Sequence, residues 1–278
     1  MVNLDNFIET SLTTPSAYLL VIHGSRNRTT QDAALKLKQM LIAELQSKDI
    51  LPQPNYLKGS FSRSEPKVVN FFQLPQNRLI DVAALELASL PLSENIISFA
   101  HKAYSQGFRR IKIVPLFLVP GVHVTEDIPL EIACAIEQIN HQNQVIIELS
   151  PYLGKYSGMA LLLAQKFSEL SAKTRILIAH GSRLPGVADY YKSLTRQLNA
   201  VIAYWSTTPS LSQQVKAQIA AGQKKIAILP YFLFPGKITE AIAQQVSELQ
   251  IEHPEVELIL GQPLGTSADL VELIAKEL

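Results

Sequence analysis

The sequence predicts an α/β protein of two tandem βα units, each built on a four-stranded parallel sheet, with a cleft between them. Three observations predict this. First, three blocks recur in the same order: YLLVIHGSR (18–26) as ILIAHGSR (176–183), RRIKIVPLFLVPGVHVTEDI (109–128) as KKIAILPYFLFPGKITEAI (224–242), and SPYLGKYSGMALLLAQKF (150–167) as GQPLGTSADLVELIAKEL (261–278). An apolar strand alone would not bring HGSR with it, so the repeat is a tandem duplication. Second, strand-like runs such as 17–22 are apolar at every position, as in strands covered on both faces. Third, these runs alternate with helical patterns, the signature of a parallel sheet covered by helices. A length of 278 residues fits two domains, and the repeat divides them into 1–171 and 172–278.

The elements follow in order. A strand at 17–22 leads to a helix at 29–47, whose Ala34, Leu37, Leu41 and Leu45 fall on one stripe. A second strand is expected at 81–87 and a helix at 92–106, ending before Gly107. A third strand spans 111–118. The next helix starts near Thr125, with Glu126 and Asp127 in its first turn, where acids suit the helix dipole. A fourth strand at 145–149 and a helix at 156–171 complete the first half. The second half repeats the order, with strands at 175–179, 200–204, 225–233 and 256–260 and helices at 187–198, 210–221, 239–250 and 267–278. His23 and His180 lie 157 residues apart, whereas Gly121 and Gly236 lie 115 apart, so the first half holds about 42 extra residues. They belong around 51–77, a Pro-, Asn-, Ser- and Gln-rich stretch that reads as a long loop.

Composition narrows the function. With 47% hydrophobic and 18% charged residues, the chain can build real cores. A net charge of +1 gives no electrostatic footprint for nucleic acid. The single Cys excludes an internal disulfide and any Cys-based zinc site. No apolar run reaches transmembrane length, and the first residues carry no signal-peptide pattern. The expected setting is a reducing, cytoplasmic one, with neither membrane nor nucleic acid as partner.

In open parallel sheets, ligands sit beyond the carboxyl ends of the strands. The polar residues there are His23-Gly24-Ser25-Arg26, then Glu86, then Gly121-Val122-His123. Two imidazoles and a carboxylate thus leave three strands toward one rim. Such a set can ligate a borderline divalent metal such as iron, cobalt, nickel or zinc, or serve as a pair of general bases. In the second half the matching positions read His180-Gly181-Ser182-Arg183, then the uncharged aromatics Tyr204-Trp205, then Gly236-Lys237. His101, His141 and His253 read as surface residues, and Cys134 as a small buried hydrophobe. Lys58, Arg63, Lys67 and Arg78, with Arg26 and Arg28, form a local basic set that reads either as part of a solvated loop or as a clamp for a polyanionic small molecule. No dinucleotide fingerprint, phosphate-binding P-loop or G-x-S-x-G elbow is present in the sequence.

The run strand-HGSR, LE-x-A, I-x-I-V-P-L-F-L-x-x-G-x-H-V-x-x-D-I-P and a final LG before a helix resembles the sirohydrochlorin chelatases. These are ATP-independent, class II tetrapyrrole chelatases of a flavodoxin-like fold, and the likeness is to their long, two-half form. The resemblance implies insertion of Fe²⁺ or Co²⁺ into sirohydrochlorin, with the metal as substrate and no organic cofactor. It implies that His23 and His123 bind the metal and accept pyrrole protons, and that Glu86 assists. Gly24, Ser25, Arg26, Gly121, Val122 and Lys237 would lie against the macrocycle. The second half, lacking a match for Glu86 and with Lys237 for the second His, would form the opposite wall of a single site. A non-catalytic tetrapyrrole or metal carrier is the alternative. A two-domain sugar- or amino-acid-binding protein is disfavoured, since it would normally carry an export signal.

Overall fold

In the computed structural model of the chain, residues 15–48, 78–139, 145–184 and 186–278 are described. The loop expected at 51–77, with Lys58, Arg63 and Lys67, and His141 lie outside the described residues.

The first half runs β1 (Ser16–Ile22), α1 (Arg28–Lys48), β2 (Ile80–Ala84), α2 (Leu92–Ser105), β3 (Arg110–Pro115), α3 (Ile128–Gln138), β4 (Ile146–Leu149) and α4 (Met159–Glu169). The second runs β5 (Thr174–Ala179), α5 (Val187–Leu198), β6 (Val201–Tyr204), α6 (Leu211–Ala220), β7 (Lys225–Pro230), α7 (Lys237–Glu252), β8 (Glu257–Leu260) and α8 (Ala268–Glu277). Both sheets are parallel, with orders β2-β1-β3-β4 and β6-β5-β7-β8. This is the flavodoxin-like order, which places the first strand beside the topological switch point where ligands bind. The second and third strands end earlier than expected, at Ala84 and Pro115, which leaves Glu86 and residues 116–122 free to form the rim. Residues 153–155 form a short 3₁₀ turn, so α4 starts three residues later than the apolar pattern predicts.

Packing explains why the central-strand stretches 17–22 and 176–179 are apolar at every position. One face of the first sheet packs under α2 and α3 through Ile96, Phe99, Ile128 and Ile132. One face of the second packs under α6 and α7 through Leu211, Val215, Ile242 and Val246. The two inner faces share one continuous core with α1, α4, α5 and α8, from Leu20, Leu37 and Leu41 through Leu163 and Phe167 to Leu194, Leu229 and Ile274. The terminal helices cross between halves. The end of α8 reaches the first sheet, where Tyr18 Oη and Lys112 Nζ donate to Leu278 O at 2.7 and 3.3 Å. In return α4 packs on α5 and β7, and the Arg175 guanidinium of β5 lies 5.5 Å from the Phe167 ring.

Polar bonds also cross. Tyr231 Oη lies 3.1 Å from Leu118 O and Tyr190 Oη 3.0 Å from Gly154 O, and since the hydroxyls also bond each other, two phenolic protons serve three contacts. The two hydroxyls lie 2.5 Å apart. Burial pushes the Tyr190 phenol up to about 12 and Tyr231 well above the ordinary value, so both bond as neutral hydroxyls. The loop leading from β3 to His123 is therefore braced from the second half. Among the described residues, no helix is long and apolar enough to cross a membrane. Cys134, expected to be buried, is partly exposed, because it sits between the buried positions Ile132 and Ala135 and not on their stripe.

Candidate metal-insertion site

Each rim residue is set by the strand before it. At the end of β1 the chain turns through Gly24, whose φ of +103° disfavours any residue with a Cβ. A Cβ there would also lie 1.9 Å from the Glu86 carbonyl oxygen. The turn can thus press against the end of β2. Leu85 N and Glu86 N donate to Ile22 O and His23 O, both at 2.9 Å, so pairing continues past the strands and fixes Glu86 beside His23. Ser25 then accepts from Asn27 N at 3.0 Å, and Asn27 Oδ1 accepts from Thr29 N at 2.9 Å, capping α1.

His123 arrives differently. Counted from the matching prolines Pro115 and Pro230, Gly121 corresponds to Gly236. Counted from the helix cores, Ile128, Ile132 and Ala135 correspond to Ile242, Val246 and Leu249, all buried. Between those anchors the first half holds one residue more. It is absorbed as a π-helical turn over His123–Asp127, where the second half has the regular start of α7. The helix therefore begins before Thr125. Asp127 is not simply an acid at a helix start: its Oδ2 lies 2.7 Å from His123 Nδ1.

The three expected residues converge. Ligand atoms of His23, Glu86 and His123 all lie within 4.8 Å of one another. His23 Nε2 is 3.9 Å from Glu86 Oε2, and His123 Nε2 is 3.8 Å from Glu86 Oε1. The imidazole rings meet edge to face, with centroids 4.8 Å apart, and the Phe117 ring leans on both. These separations leave room for one ion between the three groups, and all three side chains remain open to solvent. The donor set, two nitrogens and a carboxylate, suits a borderline divalent metal.

A cleft of about 840 Å³ opens beside the triad, between the halves. Ser25, Arg26 and Arg28 line one side, and Phe232, Phe234 and Lys237 the other. Thr30 Oγ1 reaches Pro235 O across it at 3.4 Å. Among the described lining residues there are three cations and no carboxylate. Of the residues expected against a ligand, Ser25, Arg26 and Lys237 line this cleft. Gly24, Gly121 and Val122 do not: Gly24 packs on Glu86, and Gly121 O accepts from Val124 N and Thr125 N to start the turn that carries His123.

The second half keeps the frame and differs at the rim. Trp205 N and Ser206 N donate to Ala179 O and His180 O, just as Leu85 and Glu86 do in the first half. The residue standing at the Glu86 position is thus Ser206, not the aromatic pair Tyr204-Trp205, because pairing with β5 continues two residues past Tyr204. In the helix register Lys237 matches His123 and Ala241 matches Asp127. His180 remains exposed, with its Nδ1 3.2 Å from Gly181 O. His101 is exposed as expected, whereas His253 is partly covered and its Nε2 is buried without a partner. Asp127 is the residue that the sequence reading missed, and its i, i+4 spacing from His123 was the available signal.

The chain is similar to known proteins over most of its length. The chain is 26% identical over 216 residues to a sirohydrochlorin cobaltochelatase of Priestia megaterium, covering 72% of this chain and 68% of that protein. It is 24% identical over 212 residues to a sirohydrochlorin ferrochelatase of the same organism, covering 71% and 78%. Its fold matches SirB from Bacillus subtilis with Fe³⁺ at a TM-score of 0.67 and 18% identity, over 95% of this chain and 94% of that one. The CbiX family model matches residues 59–170 and again 174–278, and with both halves matched the chain belongs to the CbiX family.

Proposed function

We propose that the protein catalyses ATP-independent insertion of Fe²⁺ or Co²⁺ into sirohydrochlorin, at one site built on the first half. The observation that carries this reading is the His23, Glu86 and His123 cluster, with ligand atoms within 4.8 Å, beside a cleft lined by three cations. Relatives named for the same reaction with iron and with cobalt support it.

The chemistry is an exchange. The divalent ion enters the ring, two pyrrole N–H protons leave, and the ion sheds its water. His23, His123 and Glu86 hold the incoming ion through two nitrogens and an oxygen, and the same groups accept the departing protons. No phosphoryl donor takes part. The ring, flat and apolar with carboxylates at its edge, lies in the cleft. Phe232 and Phe234 meet its face, while Arg26, Arg28 and Lys237 meet its carboxylates. The first and second halves act as units 1–171 and 172–278, the latter as the opposite wall. The reaction runs in the cytoplasm, where Fe²⁺ stays reduced.

An anaerobic absorbance time course of sirohydrochlorin with Fe²⁺, and separately Co²⁺, tests the reading. Catalytic amounts of protein should accelerate insertion, and His23→Ala or His123→Ala should abolish the acceleration in a folded protein. His180→Ala should cost much less; equal loss would sink the single-site claim. A spectral change only at stoichiometric protein would make the protein a carrier instead.

A further inference from the structure

His123 and His23 are held differently. His23 is followed by a glycine turn, and its ring meets Glu86, His123 and Phe117. His123 has a second polar partner: its Nδ1 lies 2.7 Å from Asp127 Oδ2, within the π-helical turn. A carboxylate can only accept, so in this contact Nδ1 must carry the hydrogen. In a neutral imidazole that leaves the lone pair on Nε2, the atom that faces Glu86 at 3.8 Å. An unconstrained histidine side chain in water favours the opposite tautomer, with the hydrogen on Nε2, which would present an N–H to an incoming cation.

The internal repeat supplies an independent observation. The segments that follow the two glycines read Thr125-Glu126-Asp127-Ile128 and Thr239-Glu240-Ala241-Ile242. Thr, Glu and Ile are common to both. The acid is present where the histidine is present and is alanine where the histidine is Lys237. Ile128 and Ile242 are buried alike, so burial of the residue that follows does not require the carboxylate.

We propose that Asp127 is a positioning residue. It holds His123 in the Nδ1–H tautomer, so that the Nε2 lone pair points into the His23–Glu86–His123 cluster. The inference rests on reading His123 as a metal ligand. Outer carboxylates of this kind orient ligating imidazoles, and their loss typically weakens metal binding about 10- to 100-fold.

The test uses the full-length protein and needs no tetrapyrrole. Nitrogen-15 NMR of the histidine side chains at pH 8, without metal, reads the tautomer directly. His123 should show a protonated Nδ1 in the wild type, and a protonated Nε2 in most molecules of Asp127→Ala. Titration with Co²⁺ should then give a dissociation constant about 10- to 100-fold weaker for Asp127→Ala. Asp127→Asn, which keeps an acceptor oxygen, should recover most of the affinity. A wild-type His123 protonated on Nε2 overturns the proposal, as does Asp127→Ala with unchanged Co²⁺ affinity. The wild-type tautomer decides even if the alanine variant does not fold. If tautomer and Co²⁺ results are as expected but sirohydrochlorin is not metallated, Asp127 keeps its role and the chelatase reading fails alone.

Discussion

Alanine at Gly24 should disable the site while the same change at Gly181 should not. Both glycines follow a strand and a histidine, and both have positive φ, +103° and +92°. A residue with a Cβ at such a φ costs about 1–3 kcal/mol at either position. At about 2–4 °C per kcal/mol for a chain of this size, each variant should lose several degrees of melting temperature. The contacts then part company. At Gly24 the new Cβ would fall 1.9 Å from the Glu86 carbonyl oxygen, and contacts under 3.0 Å force something to shift. That obstacle is backbone, so the end of β2 must retreat by about 1 Å, taking Glu86 away from both histidines. A misplacement of this size can cost about 10²-fold in rate. At Gly181 the nearest atoms are the hydroxyls of Thr207 and Ser206, at 2.6 and 3.1 Å, and side chains can rotate away. The assay is metal insertion at saturating metal, paired with thermal unfolding. Gly24→Ala should lose about 100-fold in rate and Gly181→Ala no more than about threefold, with the larger drop in melting temperature at Gly24, where the obstacle is backbone. Equal rates for the two variants would refute the argument that Gly24 exists to seat Glu86.

Two further outcomes are expected. Arg26, Arg28 and Lys237 form no ion pair with a carboxylate among the described residues, so their charge is available to a ligand. Lys237→Glu should raise KM for sirohydrochlorin about tenfold and leave kcat nearly unchanged, as for uniform binding, and the effect should shrink with added salt. An unchanged KM would remove Lys237 from the cleft's binding face. Asp81, on the edge strand β2, is a stability group. Partial burial pushes its carboxyl up, but Lys38 Nζ at 2.8 Å, Lys102 Nζ at 3.1 Å and Val82 N at 3.0 Å more than offset this and hold it below the ordinary value. A lowered folded-state pKa stabilises above the unfolded value and is lost as pH falls through the folded one. Asp81→Asn should therefore lower the melting temperature at pH 7, with the gap closing below about pH 4; a gap independent of pH would refute the charge argument.

Much of this was legible in the chain. Strands buried on both faces read as apolar runs, and the repeat supplied their order twice. His23, Glu86 and His123 stand out in the sequence as polar residues that follow strands, whose ends parallel topology sends to one rim. What stayed hidden depends on information that patterns do not hold. The crossing of α4 and α8 is tertiary: each helix has the same amphipathic stripe whichever sheet it covers. The match of Glu86 with Ser206 depends on hydrogen bonds that continue past β6, where the side-chain pattern has already ended. The extra residue before Ile128 was visible as a mismatch between repeats, but its absorption as a π-helical turn, and the pairing of His123 with Asp127, needed the backbone.

The exchange of terminal helices ties the two similar halves into one unit. In a side-by-side pair of independent domains, either half could be dispensed with. Here its last helix lies on the first half's α1 and bonds β1 through Tyr18, while Tyr231 and Tyr190 hold the carbonyls of Leu118 and Gly154. The strand that ends at His23 and the loop that carries His123 are thus both supported from the second half. Removing that half would expose the apolar inner face of the first sheet and free both supports. The second half has lost its own Glu86, His123 and Asp127 counterparts, yet its buried residues and tyrosine hydroxyls still have work to do. On the one-site proposal, selection acts on different properties in each half, ligand chemistry in the first and support and charge in the second, with Lys237 and Arg26 both lining the cleft.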